Sequence, residues 1–138
     1  MECRLCHHRC RIKAGERGRC GVRENRDGQL FSLVYGRLVS ESVDPVEKKP
    51  LFHLLPGTTS YSIATVGCNF QCRHCQNYQI SQYPLMHQGR ISGVGRSPAA
   101  VIAQAGQAGC ASISYTYVEP TIFYEFAYDC CRLSREVG

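Results

Sequence analysis

Residues 59–77 read TSYSIATVGCNFQCRHCQN, and this stretch decides the fold. Its first half, TSYSIATVG, is a short run rich in β-branched residues that closes on Gly67, the pattern of a strand. The strand leads directly into Cys68, so Cys68, Cys72 and Cys75 share one tight loop at a strand end. The spacing C-x3-C-x2-C puts three thiolates where they can hold three corners of one cubane iron–sulfur cluster. An electron-transfer cluster of that kind takes four cysteines. With no fourth cysteine at matching spacing, one iron is left open to another ligand. The competing reading is zinc, held by the same cysteines with His74. Zinc sites favour paired C-x2-C knuckles and four protein ligands, so the spacing speaks for the cluster.

Downstream, HQGRISGVGRS reads as a loop, because a glycine-rich stretch with no following Lys-Ser/Thr makes a poor phosphate cradle. Ser97-Pro98 then starts a helix, with serine as cap and proline in the first turn, and it runs to Gly109. ASISYTYV, residues 111–118, is a second strand stopped by Pro120, and TIFYEFAYDCCRLSREVG is a second helix. The order from Thr59 is therefore strand, site loop, helix, strand, helix, the opening of a parallel α/β sheet or barrel.

Upstream, QLFSLV and RLVSESV flank Tyr35-Gly36 and predict a two-stranded hairpin between Gln29 and Val43. PLFHLL, from Pro50, reads as a short helical turn or an extended linker, and its His53 receives no role. Residues 1–24 show neither helical nor strand period, as expected where metal ligands rather than a core organise the backbone. The chain thus divides into a Cys-rich segment with a hairpin, residues 1–56, and the first βαβα part of a barrel, residues 57–138.

CNFQCRHCQN resembles the signature loop of the radical S-adenosylmethionine (SAM) superfamily. The resemblance implies a catalytic [4Fe-4S] cluster on Cys68, Cys72 and Cys75, with SAM chelating the open iron. Reductive cleavage of SAM then gives methionine and a 5'-deoxyadenosyl radical, which abstracts hydrogen from the substrate. It further implies that His74, where the superfamily usually has an aromatic residue, lies near the SAM adenine, and that Asn77 matches the C-x-N ending of the pyruvate-formate-lyase activating group. Glu119 stands where the superfamily's Gly-Gly-Glu places the carboxylate that receives the SAM amino group, with Tyr117 and Val118 in place of the two glycines. A finer resemblance spans nearly the whole chain. CRLCHHRCRIKAGERGRCGVR, DPVEKKPLFHLLPG, CNFQCRHCQN and YTYVEPT, in that order, resemble the radical SAM component of the AmmeMemoRadiSam system. The implied partners are an external one-electron donor and a substrate left unspecified, with glycyl-radical activation of a protein as one form it takes in better understood relatives.

Cys3, Cys6, Cys10 and Cys20 give C-x2-C-x3-C-x9-C, enough ligands for a tetrahedral zinc site or for a second iron–sulfur cluster, with His7 and His8 as spare ligands. The sequence leaves both open and puts zinc slightly ahead. Cys110, Cys130 and Cys131 read as structural.

The chain has 16 basic and 11 acidic residues, a net charge of +5, and ten cysteines. The basic residues crowd the first half, but basic residues among metal-spaced cysteines offset thiolate charge, so nucleic acid is not favoured as a partner. No apolar run reaches the ~18 residues of a membrane span, and residues 1–20 lack a signal-peptide core, so the expected location is the cytoplasm. A reducing compartment in turn favours metal over disulfides. The stretch from Gln76 to Gly138 has room for one strand–helix repeat but not for a barrel of roughly 200 residues or more. The expectation is an N-terminal fragment of such an enzyme, one that by itself binds a cluster poorly. Two readings compete with the enzyme: a zinc module touching nucleic acid, and an inactive remnant.

Overall fold

The computed structural model describes residues 1–137. The central element is β5, Thr59–Ala64, in which every residue after Thr59 is buried. Such continuous burial belongs to a strand covered on both faces. On one side it pairs antiparallel with β4, Ser40–Pro45, from Ser40↔Ala64 to Pro45↔Thr59. On the other it pairs in parallel with β7, Ser112–Tyr115, from Ser60↔Ser112 to Ile63↔Tyr115. This three-stranded mixed sheet, ordered β4-β5-β7, is the largest sheet among the described residues, which contain no closed barrel.

The parallel pairing requires a crossover, and the chain between β5 and β7 supplies it. After the cysteine loop come two single-turn helices, α1 (Tyr78–Ser81) and α2 (Tyr83–Met86), then the short strand β6 (Val94–Gly95) and helix α3 (Pro98–Gln107). Ser97 caps α3, its hydroxyl accepting from the Ala100 N–H at 3.1 Å, as the sequence predicts. After β7 a 3-10 turn, Pro120–Phe123, runs into α4, Tyr124–Val137. The core gathers Ile63 and Tyr61 of β5, Val101 and Ala105 of α3, Ile122 and Phe123 of the 3-10 turn, and Phe126 and Cys130 of α4. Val22, Val34 and Leu38 from the first part of the chain join them. No helix among the described residues is long and apolar enough to cross a membrane.

The first part of the chain departs from expectation. Gln29–Ser32 (β2) does not pair across Tyr35-Gly36. It pairs with β1, Arg23–Arg26, in a hairpin turned by Asp27-Gly28. Both turn residues have positive φ, +49° and +86°, the requirement of a type I′ turn and the reason Asp-Gly is a strong hairpin signal. The residues after Gly36 leave this hairpin entirely. Arg37–Leu38 (β3) pairs with β6, so the expected loop at 87–97 is a loop apart from Val94–Gly95, and Ser40–Pro45 joins β5 across the boundary at residues 56/57.

Nor does the backbone of residues 1–24 depend on ligands alone. The Cys3 N–H donates to the Cys10 carbonyl at 2.9 Å, Asn25 Nδ2 donates to the Ile12 carbonyl at 2.8 Å, and Ile12 is buried. The segment Leu51–Leu55 is neither helix nor strand and is exposed.

The second predicted strand ends early, at Tyr115, because Tyr117 takes a left-handed conformation with φ +64°. The Val118 N–H turns back to the Thr116 carbonyl at 2.8 Å, closing a three-residue turn. That turn aims the chain toward Glu119.

Candidate functional site

The loop Gly67–Asn77 follows β5 and is tied back to α1 and its end at Gly67 and Phe70. The Gly67 N–H donates to the Ile80 carbonyl at 3.0 Å, and Gln82 Nε2 donates to the Phe70 carbonyl at 3.0 Å. Gly67 has φ +90°, and a Cβ there would lie 2.4 Å from Val22 Cγ1 and 2.8 Å from the Cys20 carbonyl oxygen. Only glycine lets the start of the loop press against the N-terminal segment.

All ten cysteines are free thiols. Cys68 and Cys75 are half-buried and Cys72 is exposed. The Phe70 N–H lies 3.4 Å from Cys68 Sγ, and Cys75 Sγ lies 3.5 Å from the Ser81 hydroxyl.

Cys68, Cys72 and Cys75 face an open cleft of about 600 Å³ that they share with Asn77, Ser81, Thr116, Tyr117, Val118 and Glu119. The fold therefore brings five of the expected site residues, three cysteines with Asn77 and Glu119, to one place, at the ends of the parallel strands β5 and β7. That is where α/β sheets present functional groups. Glu119 caps the following 3-10 turn, its carboxylate accepting from the Thr121 N–H at 3.3 Å and the Thr121 hydroxyl at 2.5 Å. His74 is exposed and does not line the cleft.

Cys3, Cys6, Cys10 and Cys20 surround a separate, small cavity of about 20 Å³ with His8, Arg23 and Asn69. The two cysteine groups meet at Asn69. His8 Nε2 is 2.8 Å from the Asn69 carbonyl oxygen, and the Asn69 side chain is buried with its Oδ1 unpartnered. Burial raises the Cys20 thiol above its ordinary value, against the smaller opposing pull of hydrogen bonds to the Val22 and Arg23 backbone. Among the described residues, no three His, Cys, Asp or Glu side chains converge closely enough to hold a single metal ion. The tetrahedral zinc site expected from the four N-terminal cysteines, and the zinc reading of Cys68, Cys72 and Cys75 with His74, thus have no preformed ligand set. A cubane makes a different demand, because each thiolate binds its own iron and the sulfurs need not meet at a point. Three free thiols around an open cleft fit that demand.

The sequence reading missed one wall of the cleft. Lys48, Lys49 and Pro50 line it. Behind the lysines sits Asp44, 5% exposed. Its carboxylate accepts from Lys48 Nζ at 2.7 Å, from Lys49 Nζ at 2.6 Å and from the Tyr117 hydroxyl at 2.5 Å. Burial pushes this carboxyl upward, but the hydrogen bonds from the two lysines and the tyrosine outweigh it and hold Asp44 well below the usual carboxylate range. Both ammonium groups also lie over the Tyr117 ring, 5.8 and 5.0 Å from its centroid, within cation–π range. The run DPVEKKP contained the signal, two adjacent lysines a turn beyond an aspartate.

The chain belongs to the radical SAM superfamily, whose family profile matches residues 62–138. Members of that superfamily are enzymes that in general use a [4Fe-4S] cluster and SAM. An uncharacterized protein of Methanocaldococcus jannaschii is 46% identical over 138 residues, which is all of this chain and 40% of that relative. A second uncharacterized protein of the same archaeon is 36% identical over 81 residues, 58% of this chain and 19% of the relative. The chain thus spans well under half the length of these curated relatives. No solved structure matches it significantly.

Proposed function

We propose that the protein is a radical SAM enzyme in which Cys68, Cys72 and Cys75 hold a [4Fe-4S] cluster and the cleft beside them is the reaction chamber. The observation that supports this most directly is the convergence of the three free thiols with Asn77 and Glu119, from two parallel strands, on one open cleft. When bound, the cluster and SAM supply reductive cleavage of the sulfonium and a 5'-deoxyadenosyl radical that takes hydrogen from substrate. The hard chemistry is the cofactors' own, and the protein's task is to position and enclose them.

Each residue then has a defined task. The three cysteines would hold three irons of the cluster and leave the fourth for SAM. Glu119 would accept the amino group of SAM, its carboxylate already ordered by Thr121. Tyr117 fills the place of a glycine by adopting a conformation that glycine favours, φ +64°. This keeps the turn before Glu119 despite the missing Gly-Gly. The electron comes from an external one-electron donor, and the chain acts as the radical SAM component of an AmmeMemoRadiSam-type system.

The test is anaerobic turnover of SAM with a chemical reductant. Normalised to the cluster actually bound, the wild-type protein is expected to release 5'-deoxyadenosine and methionine in equal amounts, and Glu119→Gln to do so with SAM affinity about tenfold weaker or worse, the loss of one charge-assisted hydrogen bond of about 1.5–3 kcal/mol. SAM cleavage that persists unchanged when all three cysteines are replaced by alanine would sink the proposal.

A further inference from the structure

We propose that Lys48 and Lys49, seated on Asp44, form an anion-docking site that anchors a carboxylate or phosphate group of the substrate. The proposal rests on the reading of the cleft as a reaction chamber and names the class of molecule it takes.

The first argument is charge. Two ammonium groups share one carboxylate, so the cluster carries a net positive charge on the cleft wall. Each ammonium has three N–H donors, and Asp44 takes one from each. The rest of the cluster is fully committed. Asp44 uses Oδ1 for Lys48 and Oδ2 for both Lys49 and Tyr117. Glu119, the other acid at the cleft, accepts from Thr121 through Oε1 alone, which leaves Oε2 for the SAM amino group. Within this lysine–aspartate cluster the free donors belong to the lysines, and an incoming anion is the ligand that matches them.

The second argument is construction. Lys49 has a side chain only 11% exposed, held between Asp44 and the Tyr117 ring. A surface lysine kept for solubility would stay free in water, whereas this ammonium is fixed in direction before any ligand arrives, which reduces the ordering cost of binding. Lys48 is the exposed member, 57% exposed and bound to Asp44 at 2.7 Å.

The third argument is placement. β4 runs antiparallel to β5 with Asp44 opposite Ser60, near the start of β5, whereas Cys68 follows the end of β5. Lysines and cysteines thus enter the cleft from opposite ends of the central strand. An anionic group held by the lysines leaves the remainder of the substrate extending toward the cysteine loop, where hydrogen abstraction would occur.

Titration of the 138-residue chain with inorganic phosphate at low ionic strength, followed by amide NMR, tests the site with no cluster bound. Saturable shifts are expected at Lys48, Lys49 and Thr116–Val118. They should weaken at least tenfold in the Lys48→Gln/Lys49→Gln double variant and persist in Lys48→Arg/Lys49→Arg. Lys48→Gln alone, at an exposed position, gives a variant whose fold is not at risk and should weaken binding severalfold. Absence of these shifts in the wild type, or their survival in the double glutamine variant, overturns the proposal. A second arm adds SAM to the reconstituted protein and records electron paramagnetic resonance. The double glutamine variant should respond to SAM as the wild type does. Loss of that response in the variant alone would assign the lysines to the carboxylate of SAM and overturn the substrate assignment. A wild type that binds phosphate at the lysines yet ignores SAM would overturn the radical SAM reading and leave the anion site supported.

Discussion

The Tyr117 hydroxyl donates to the Asp44 carboxylate at 2.5 Å, tying the turn that follows β7 to the end of β4 across the cleft. The two residues are far apart in sequence, one on β4 and the other just beyond β7, with β5 standing between those strands. The bond fixes the left-handed turn that leads to Glu119, and it helps to hold the carboxylate on which Lys48 and Lys49 rest.

Tyr117→Phe keeps the ring over the lysines and removes the hydroxyl. The expected cost is about 1–3 kcal/mol, that of a hydrogen bond to a buried charged group, read as a lowered urea midpoint. Tyr117→Gly loses the same bond but relieves the φ +64° conformation, which costs about 1–3 kcal/mol for a non-glycine residue. The glycine variant should therefore be no more destabilised by its lost hydrogen bond than the phenylalanine variant, after allowance for the ring. A phenylalanine variant as stable as the wild type would show that the bond contributes nothing.

Asp44 also predicts an acid response. Its carboxyl lies lower in the folded protein than the ordinary 3.8, so its ionised form stabilises the fold at pH above that value. The contribution is lost progressively as the pH falls below about 4 toward the folded-state value. Urea unfolding from pH 7 down to pH 2.5 should show stability falling in this window, and Asp44→Asn should flatten that part of the curve while lowering stability at pH 7. An Asp44→Asn curve parallel to the wild type would assign the acid loss elsewhere.

Arg23 and Glu125 join the β1–β2 hairpin to α4 through two parallel bonds of 2.6 and 2.9 Å. Arg23 is 7% exposed, so Glu125→Gln leaves a buried guanidinium without its counter-charge. The Glu125 side chain is 42% exposed, and water moderates the loss to about 1–2 kcal/mol. A thermal midpoint within 1 °C of wild type would contradict this.

Gly67→Ala places a methyl group against Val22 and the Cys20 carbonyl in a left-handed backbone conformation. The expected cost is about 2–4 kcal/mol, accompanied by lower iron uptake, because the loop carrying Cys68 starts there. Normal stability and iron content together would show that the close approach has no structural weight.

The parts that could be read from the sequence were those set by local chemistry. Ser97-Pro98 announced α3 because a cap and a first-turn proline act on neighbouring residues. Gly67 and the run before it announced β5, and the cysteine spacing announced the loop. The misread hairpin had the same kind of signal, Asp27-Gly28, which outranks Tyr35-Gly36 because both of its residues accept positive φ. What stayed hidden was non-local. β4 finds β5 across the exposed Leu51–Leu55 segment, and only that pairing carries Asp44 and its lysines to the cleft. The small strand β6 owes its form to Arg37 and Leu38, more than fifty residues earlier by register, and its own two residues carry no pattern. His74 shows the opposite limit, since its place beside Cys75 in the motif does not decide which way the loop turns it.

The central claim is that Cys68, Cys72 and Cys75 hold a cluster with one iron open to SAM. Anaerobic reconstitution with iron and sulfide, followed by electron paramagnetic resonance of the reduced protein before and after SAM, tests it most directly. The account predicts a [4Fe-4S] signal that changes on SAM addition and disappears when any of the three cysteines is replaced by alanine, while Cys131→Ala leaves it intact. A signal that is indifferent to SAM, or that survives the loss of these cysteines, would contradict it.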